Sequence, residues 1–274
     1  MRLAANLSFL FKDRPFMQRF GAASACGFKH VEFMFPGDGG YVHDAAAMRG
    51  ALSEHGLTQV LLNAPAGDWA AGDRGLAGVP GRDTDFASSM ERGLRFAEEV
   101  GCSRMHVMAG TIAAGATEDT LVSRLRWASG MAADANVCLL VEPLNPVDFP
   151  GYLVPDASTA LRVLDAVDAH NCQLQLDLYH LAMAGGLVAG DAASGEAADL
   201  PRLVRDLLPR SAHVQLANPP GRNEPGVGFV DFAPLLALLE EAGYDGFVGC
   251  EYKPSTEVAE DSFEWAESYG VRAP

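Results

Sequence analysis

Short apolar runs alternate with longer segments of helical spacing along the whole chain. The runs are rich in Val, Leu and Phe, and apolar runs of this length bounded by turn residues are typical of buried strands. We place the predicted strands at residues 3–8, 30–35, 57–63, 104–109, 137–143, 172–177, 212–217 and 246–251.

The segments between these runs carry the signals that start and stop helices. The first segment begins with Pro15 near its first turn, where the missing backbone N–H does no harm. Residues 117–136 open with Thr117 as a candidate cap and acidic residues in the first turn. Residues 232–244 follow Asp231, another residue type that caps helices. Each segment is therefore predicted to be helical.

Eight alternations of strand and helix favour an α/β protein whose parallel sheet closes into a (β/α)8 TIM barrel. The alternative is a doubly wound open sheet, and no GxGxxG motif follows the first strand to support it. No linker or change of composition divides the chain, so residues 1–274 are predicted to form a single domain. The connections 63–82 and 180–200 are long and Gly-rich, and such connections tend to be functional or mobile.

The composition narrows the function classes. A net charge of −16 argues against a nucleic-acid partner, because phosphate binding needs a basic patch. We find no signal peptide and no apolar stretch long enough to span a membrane. The five cysteines are widely spaced and odd in number, which fits buried thiols in a reducing compartment. We therefore expect a cytoplasmic protein.

Polar side chains close four consecutive predicted strands. Glu142, Asp177, Gln215 and Glu251 lie at or near the ends of the fifth to the eighth strand. In a parallel barrel these ends meet at the face that carries the chemistry. Crowded carboxylates require protonation or a compensating cation, and oxygen donors suit Mg²⁺ or Mn²⁺. Each acid alone could instead pair with an Arg or cap a helix, but four at one face favour a metal site.

Eight segments of the chain closely resemble the hydroxypyruvate isomerase family, which belongs to the xylose isomerase-like barrels. The resemblance runs from about residue 2 to about residue 255, and GDWAAGDRG and GCEYKP are its specific motifs. The segments are FMFP (33–36), PAGDWAAGDRG (65–75), VPGR (79–82), VEPLN (141–145), LDLYH (176–180), HVQLA (213–217), EPGVG (224–228) and VGCEYKP (248–254).

The resemblance implies roles for the same four residues. The family's divalent metal ligands fall on Glu142, Asp177, Gln215 and Glu251, and its pair of acid–base glutamates falls on Glu142 and Glu251. The related sugar 3-epimerases carry a His where this chain has Gln215, which favours the isomerase branch.

The implied reaction interconverts hydroxypyruvate and 2-hydroxy-3-oxopropanoate through a cis-enediol, so the expected partner is a three- or four-carbon sugar acid. Isomerisation of 2-dehydrotetronate (2-oxo-tetronate) is the alternative with the same chemistry. Ketose 3-epimerisation and a barrel that binds a sugar acid without turnover are further alternatives. A DNA-repair endonuclease of the same superfamily would need additional His ligands and a basic groove, and the sequence indicates neither.

An anionic substrate needs local positive charge on so acidic a chain. The candidate cations, each of which could instead be a solvated surface group, are Arg74, Arg82, Arg222 and Lys253. The arginines are favoured, because a guanidinium can bind a carboxylate at two points.

Three uncharged or acidic candidates complete the predicted substrate-binding set. His180 could polarise a substrate oxygen or orient a ligand. Glu32 could face the pocket or bond the backbone at the rim. Trp69 could cover the site or anchor the packing of its loop.

Three features depart from the family pattern. Asn218 and Phe229 stand where the family usually has acidic residues, which leaves the exact substrate open. The stretch 181–200 is longer than the family's and could reshape a lid. A homo-oligomer is compatible with the sequence, which does not define the oligomeric state.

Overall fold

The structure, a computed structural model, describes residues 1–35, 44–185 and 199–274. Within these ranges eight strands close into a barrel in chain order, and every pair with a defined register is parallel. The strands are β1 (Arg2–Asn6), β2 (His30–Phe33), β3 (Thr58–Asn63), β4 (Arg104–His106), β5 (Cys138–Val141), β6 (Cys172–Asp177), β7 (Ser211–Leu216) and β8 (Phe247–Cys250).

Helices follow the strands through the described part of the chain, and the predicted (β/α)8 barrel is confirmed. The helices are α1 (Phe16–Ala25), α2 (Ala45–His55), α3 (Asp83–Val100), α4 (Glu118–Asp134), α5 (Ala157–Val167), α6 (Leu178–Ala184), α7 (Leu200–Leu207) and α8 (Ala233–Glu241). Short 3₁₀ segments lie at Ile112–Ala114, Leu208–Arg210, Ala259–Ser262 and Glu264–Tyr269. None of these described helices is both long and apolar enough to cross a bilayer.

The described residues group into two compact units. The first comprises residues 1–32, 50–60 and the described part of 176–274, and the second comprises the described part of 33–49 together with 61–175. That residues 1–274 form a single domain stays a prediction.

In the first unit, polar side chains stand in register on adjacent strands. Asn6 on β1 lies opposite Glu32 on β2, and Gln215 on β7 lies opposite Gly249 on β8. His213 shares a strand face with Gln215, because side chains two residues apart point the same way. All four polar side chains are buried, so this register builds a polar layer inside the unit.

In the second unit, a buried arginine of α4 holds the Gly-rich segment 64–82. Arg124 donates from Nη1 to the carbonyl oxygens of Leu76 and Val79, at 2.6 and 2.8 Å, and from Nη2 to Asp83 Oδ1 at 2.9 Å. Buried carbonyl oxygens need a donor, and Arg124 supplies one from α4 to the carbonyl oxygen of Val79 and a second one to that of Leu76. The guanidinium therefore fixes the course of the segment.

The predicted strands are confirmed in number and order among the described residues, but most of them are shorter than predicted. β4 ends at His106 instead of residue 109, although the sequence stays apolar. Its backbone leaves the sheet there, and the Ala109 N–H donates to the Tyr152 hydroxyl at 2.8 Å. Glu142 and Glu251 lie one residue beyond β5 and β8.

The helix boundaries agree with their signals, with one correction. Thr117 caps α4 by accepting from the Thr120 N–H at 3.3 Å. The prediction that residues 180–200 form a connection without secondary structure is wrong up to Ala184, since α6 covers Leu178–Ala184. An Asp cap and a run of helix formers outweigh the Gly-rich sequence that follows. Residues 186–198, which carry most of the predicted lid, lie outside the described residues.

Replacing Arg124 by Leu should destabilise the protein by about 2–4 kcal/mol, because the Val79 carbonyl oxygen loses its Arg124 donor, the Leu76 carbonyl oxygen loses one of two donors, and Asp83 loses its ion pair. Urea unfolding followed by circular dichroism measures the free energy of unfolding. Arg95→Leu, the same change at an exposed position of α3, is the control and should stay within about 0.5 kcal/mol of wild type. Equal effects of the two substitutions would contradict the anchoring role of Arg124.

Candidate active site

Asp177 and His180 lie together where β6 passes into α6. Asp177 Oδ1 accepts a hydrogen bond from the Tyr179 backbone N–H at 2.7 Å and so caps the helix. His180 Nε2 lies 3.8 Å from Asp177 Oδ2. Both side chains are buried. The cap engages one carboxylate oxygen, so the other is the oxygen that faces the neighbouring functional groups.

Arg222 contacts two acids of the first unit, Asp177 and Glu251. Its Nη2 donates to Glu251 Oε2 and lies 3.5 Å from Asp177 Oδ2, and its Nε donates to the Glu251 carbonyl oxygen at 3.3 Å. The guanidinium lies 4.8 Å from the ring centres of both Phe9 and Tyr179. Cation–π attraction to the two rings adds to the hydrogen bonds that Arg222 donates to Glu251. The arginine is thus held in one orientation beside two carboxylates.

Glu32 lies at the centre of the polar layer of the first unit and has 0% exposure. Its Oε1 accepts hydrogen bonds from Gln215 Nε2 at 2.7 Å and from Asn6 Nδ2 at 2.9 Å. Its Oε2 lies 2.7 Å from His213 Nε2. The same Asn6 nitrogen also donates to Glu251 Oε1 at 3.0 Å. Asn6 therefore links the two glutamates.

Burial raises the pKa of both acids beside Arg222. The pKa of Asp177 is raised by burial, although Arg222 and two backbone N–H groups lower it in part. Burial raises the pKa of Glu251 to about 8, against the opposing effect of Arg222. One guanidinium does not offset the desolvation of two carboxylates in contact with it.

In the second unit, Glu142 follows β5 and lies beside His106, the last residue of β4. His106 Nδ1 is 3.2 Å from Glu142 Oε2, and both side chains are buried. Burial lowers the pKa of His106 to about 3, so the imidazole is neutral near pH 7. His106 therefore lies close to the Glu142 carboxylate but adds no positive charge to it.

Trp69, Arg74 and Arg82 lie in the segment 64–82 and are tied together within it. The Arg74 guanidinium lies 4.3 Å from the Trp69 ring centre, and its Nη1 donates to the Asp73 carbonyl oxygen at 2.7 Å. Arg82 forms a two-point pair with the Asp73 carboxylate at 3.2 Å. These contacts give the three residues a structural role, and their contact with a substrate stays a prediction.

Lys253 and Asn218 contribute to the loops around Arg222. The Lys253 side chain is exposed, and its backbone N–H donates to the Arg222 carbonyl oxygen at 2.7 Å. Asn218 has 0% exposure, and its amide both donates to the Val230 carbonyl oxygen and accepts from the Val230 N–H, each at 2.9 Å. An ionised Asp could accept but not donate there. The amide is therefore explained by its two hydrogen bonds to the Val230 backbone. Phe229 is 52% exposed.

Several contributors to the site received no role from the sequence. Asn6 and His106 each end a strand, and the rule that finds Glu142 would find them once the strand ends are known. The rings of Phe9 and Tyr179 carry no such signal, because their contact with Arg222 depends on the course of a distant loop.

The donor set fits a divalent cation. Asp177 and Glu251 both contact Arg222, and Gln215 is linked to Glu251 through Glu32 and Asn6, so these three oxygen donors lie in one small, mostly buried region. Carboxylate and amide oxygens are the donors that Mg²⁺ and Mn²⁺ prefer. The raised pKa values of Asp177 and Glu251 indicate that additional positive charge would stabilise their ionised forms.

Comparison with known proteins identifies the family and relatives of the chain. A family model described as xylose isomerase-like TIM barrel matches residues 20–269. The chain is 42% identical to the 2-oxo-tetronate isomerase of Cupriavidus necator, over 92% of this chain and 93% of that protein. It is 36% identical to the hydroxypyruvate isomerase of Escherichia coli, over 98% of this chain and 99% of that protein.

A solved structure extends the similarity to three dimensions. The crystal structure described as AP endonuclease, family 2, from Brucella melitensis is 38% identical and has a TM-score of 0.88. The match covers 98% of each chain.

The raised pKa of Glu251 predicts that metal-free protein becomes less stable as the pH rises. The folded state keeps a proton that the unfolded state loses, since its pKa moves from 4.5 to about 8. In EDTA-treated protein this group should lower the free energy of unfolding between those pH values, by at most about 1.4 kcal/mol per pH unit. Asp177 acts in the same direction. Urea unfolding at a series of pH values measures the slope.

Glu251→Gln should flatten this slope, because the variant has no proton to lose at that position. Glu257→Gln, at an exposed position, is the matched control and should keep the wild-type slope. An unchanged slope in Glu251→Gln would contradict the pKa assignment.

Proposed function

Because the chain belongs to the xylose isomerase-like TIM barrel family, we propose that it is an isomerase of a small oxo/hydroxy acid. The first candidate reaction interconverts hydroxypyruvate and 2-hydroxy-3-oxopropanoate, the chemistry that the name of the E. coli relative indicates. The observation that carries the proposal is the buried contact of Arg222 with Asp177 and Glu251. It supplies proton-transferring acids and a cation for an anionic substrate at one place.

The acid–base work is assigned to two glutamates. In the forward direction one carboxylate removes a proton from C3, a proton moves between the C2 and C3 oxygens, and a carboxylic acid returns a proton to C2. We assign these transfers to Glu142 and Glu251. A carboxyl group with a pKa of about 8, as at Glu251, can both accept and return a proton near neutral pH.

Glu142, Asp177, Gln215 and Glu251 are the residues that would hold Mg²⁺ or Mn²⁺. When bound, the ion would supply Lewis acid stabilisation of negative charge on the substrate oxygens. The strand register supports the inclusion of Glu142, since Val141 stands opposite Leu174. Glu142 therefore follows the carboxyl end of β5, the position at which barrel strands carry functional residues.

The substrate carboxylate is assigned to Arg222. Its guanidinium lies 4.8 Å from the centres of two aromatic rings, and Arg binds carboxylates at two points. His180, beside Asp177 Oδ2, is placed to polarise a substrate oxygen. Arg74, Arg82, Trp69, Lys253 and Glu32 remain weaker candidates for substrate contact, because the described contacts of their side chains do not include Asp177 or Glu251.

Isomerisation of 2-oxo-tetronate is the second candidate. The 42% identical Cupriavidus relative bears that name, and the reaction moves the same protons on a substrate with one more carbon.

The name of the Brucella structure raises a DNA-cleaving enzyme as an alternative. A net charge of −16 offers no basic surface for a phosphate backbone. A cytoplasmic location stays part of the proposal.

Glu142→Gln should lower kcat by about 10²–10⁴-fold, the usual contribution of a positioned acid or base. Substrate binding measured by calorimetry should persist, because the amide keeps the shape of the side chain. Glu118→Gln, a surface position paired with Arg162, is the control and should leave kcat unchanged. A Glu142→Gln variant with full turnover would contradict the proposed mechanism.

A substrate panel with and without metal should separate the candidate functions. Hydroxypyruvate and 2-oxo-tetronate should turn over faster than neutral tetruloses and hexuloses, because Arg222 favours a carboxylate. EDTA should abolish turnover, and Mg²⁺ or Mn²⁺ should restore it. Product identification by NMR distinguishes the two acids. Preference for neutral ketoses would indicate an epimerase, binding without turnover would indicate a sugar-acid-binding barrel, and full activity in EDTA would contradict the metal site.

A further inference from the structure

Glu32 is fully buried, yet its carboxylate contacts residues from two other strands. Gln215 and His213 reach it from β7, Asn6 from β1, and each contact is between 2.7 and 2.9 Å. With 0% exposure, the side chain is poorly placed to contact a substrate from solvent. A buried carboxylate with this many partners needs a reason beyond packing, because its desolvation costs several kcal/mol.

We infer that Glu32 is a positioning residue that sets the orientation of the Gln215 and Asn6 amides. This inference rests on the proposed function, in which Gln215 and Glu251 are metal ligands. It replaces the substrate contact that the sequence suggested for Glu32.

The chemistry of the hydrogen bond fixes the Gln215 amide. An ionised carboxylate only accepts hydrogen bonds, so the –NH₂ end of Gln215 must face Glu32. The carbonyl Oε1 is then directed away from Glu32. Only that oxygen can ligate a hard cation, since an amide nitrogen has no available lone pair. Glu32 thereby selects the orientation of Gln215 that a metal site requires.

Asn6 extends the effect to Glu251. Its Nδ2 donates to Glu32 at 2.9 Å and to Glu251 at 3.0 Å, while its Oδ1 accepts from the Ser8 N–H at 3.0 Å. Both ends of the amide are engaged, so its orientation is fixed as well. Glu32 therefore contacts one proposed ligand directly and a second through a single amide.

Gly249 supports the same assignment independently. A Cβ at this position would lie 2.4 Å from both carboxylate oxygens of Glu32. The backbone angle gives no reason for a glycine here, because Gly249 is not among the positive-φ glycines. The glycine is explained by the carboxylate that packs on it, in line with close approach as a use of glycine in strands.

The test measures Mn²⁺ affinity, not turnover. Mn²⁺ is titrated into EDTA-stripped and dialysed full-length protein, and the free ion is followed by electron paramagnetic resonance. Glu32→Gln should weaken binding about 10–100-fold, the usual effect of losing a group that orients a ligand. A glutamine at position 32 can donate as well as accept, so it no longer selects one Gln215 orientation.

A double mutant distinguishes positioning from packing. Glu32→Gln combined with Gln215→Ala should weaken Mn²⁺ binding by less than the product of the single effects, because both changes remove one shared contribution. Glu224→Gln, a buried glutamate that accepts from the Ser255 N–H at 3.0 Å, is the matched control and should keep wild-type affinity. Independent, multiplicative losses would overturn the inference.

Gly249→Ala provides a second variant that keeps both polar side chains. Displacement of the Glu32 carboxylate should weaken Mn²⁺ binding in the same direction, in protein whose circular dichroism is unchanged. Wild-type affinity in Glu32→Gln or in folded Gly249→Ala would overturn the positioning role and leave the proposed function intact. Failure of wild-type protein to bind Mn²⁺ would overturn the metal site and, with it, the inference.

Discussion

The burial of carboxylates beside the strand ends constrains the rest of this site. An ionised carboxyl group that leaves water loses solvation worth several kcal/mol, and hydrogen bonds or a cation must offset the loss. The first unit supplies these partners in two ways. Glu32 is surrounded by side-chain donors, whereas Asp177 and Glu251 share one guanidinium. Arg222 offsets only part of the desolvation of Asp177 and Glu251, because the pKa of each acid is still raised.

The acids differ in the partners that offset their lost solvation, and this difference suits them to different roles. A carboxylate with three close side-chain partners, such as Glu32, is rigid and suits the orientation of its neighbours. An acid with a pKa near neutrality, such as Glu251, exchanges protons or takes up a cation readily. Two aromatic rings lie beside the Arg222 guanidinium and leave its positive charge available to Asp177 and Glu251.

The sequence predicts most of the fold because apolar periodicity reports burial strand by strand. It predicts Glu142, Asp177, Gln215 and Glu251 as a set because the ends of parallel strands converge. It does not predict the partner of each side chain. The Asn6–Glu251 hydrogen bond joins residues 245 positions apart. The local spacing of residues in the sequence does not predict such a contact. The same holds for Glu32, whose strand position is evident but whose partners lie on other strands.

The departure at position 218 illustrates how a change near a site can be structural. The Asn218 amide pairs with both backbone groups of Val230 and is fully buried. Gly228 packs on the same amide, since a Cβ there would lie 2.4 Å from Asn218 Oδ1. An ionised Asp would leave the Val230 carbonyl oxygen without its donor. Asn218 therefore holds the loop that carries Arg222, the residue proposed to bind the substrate carboxylate.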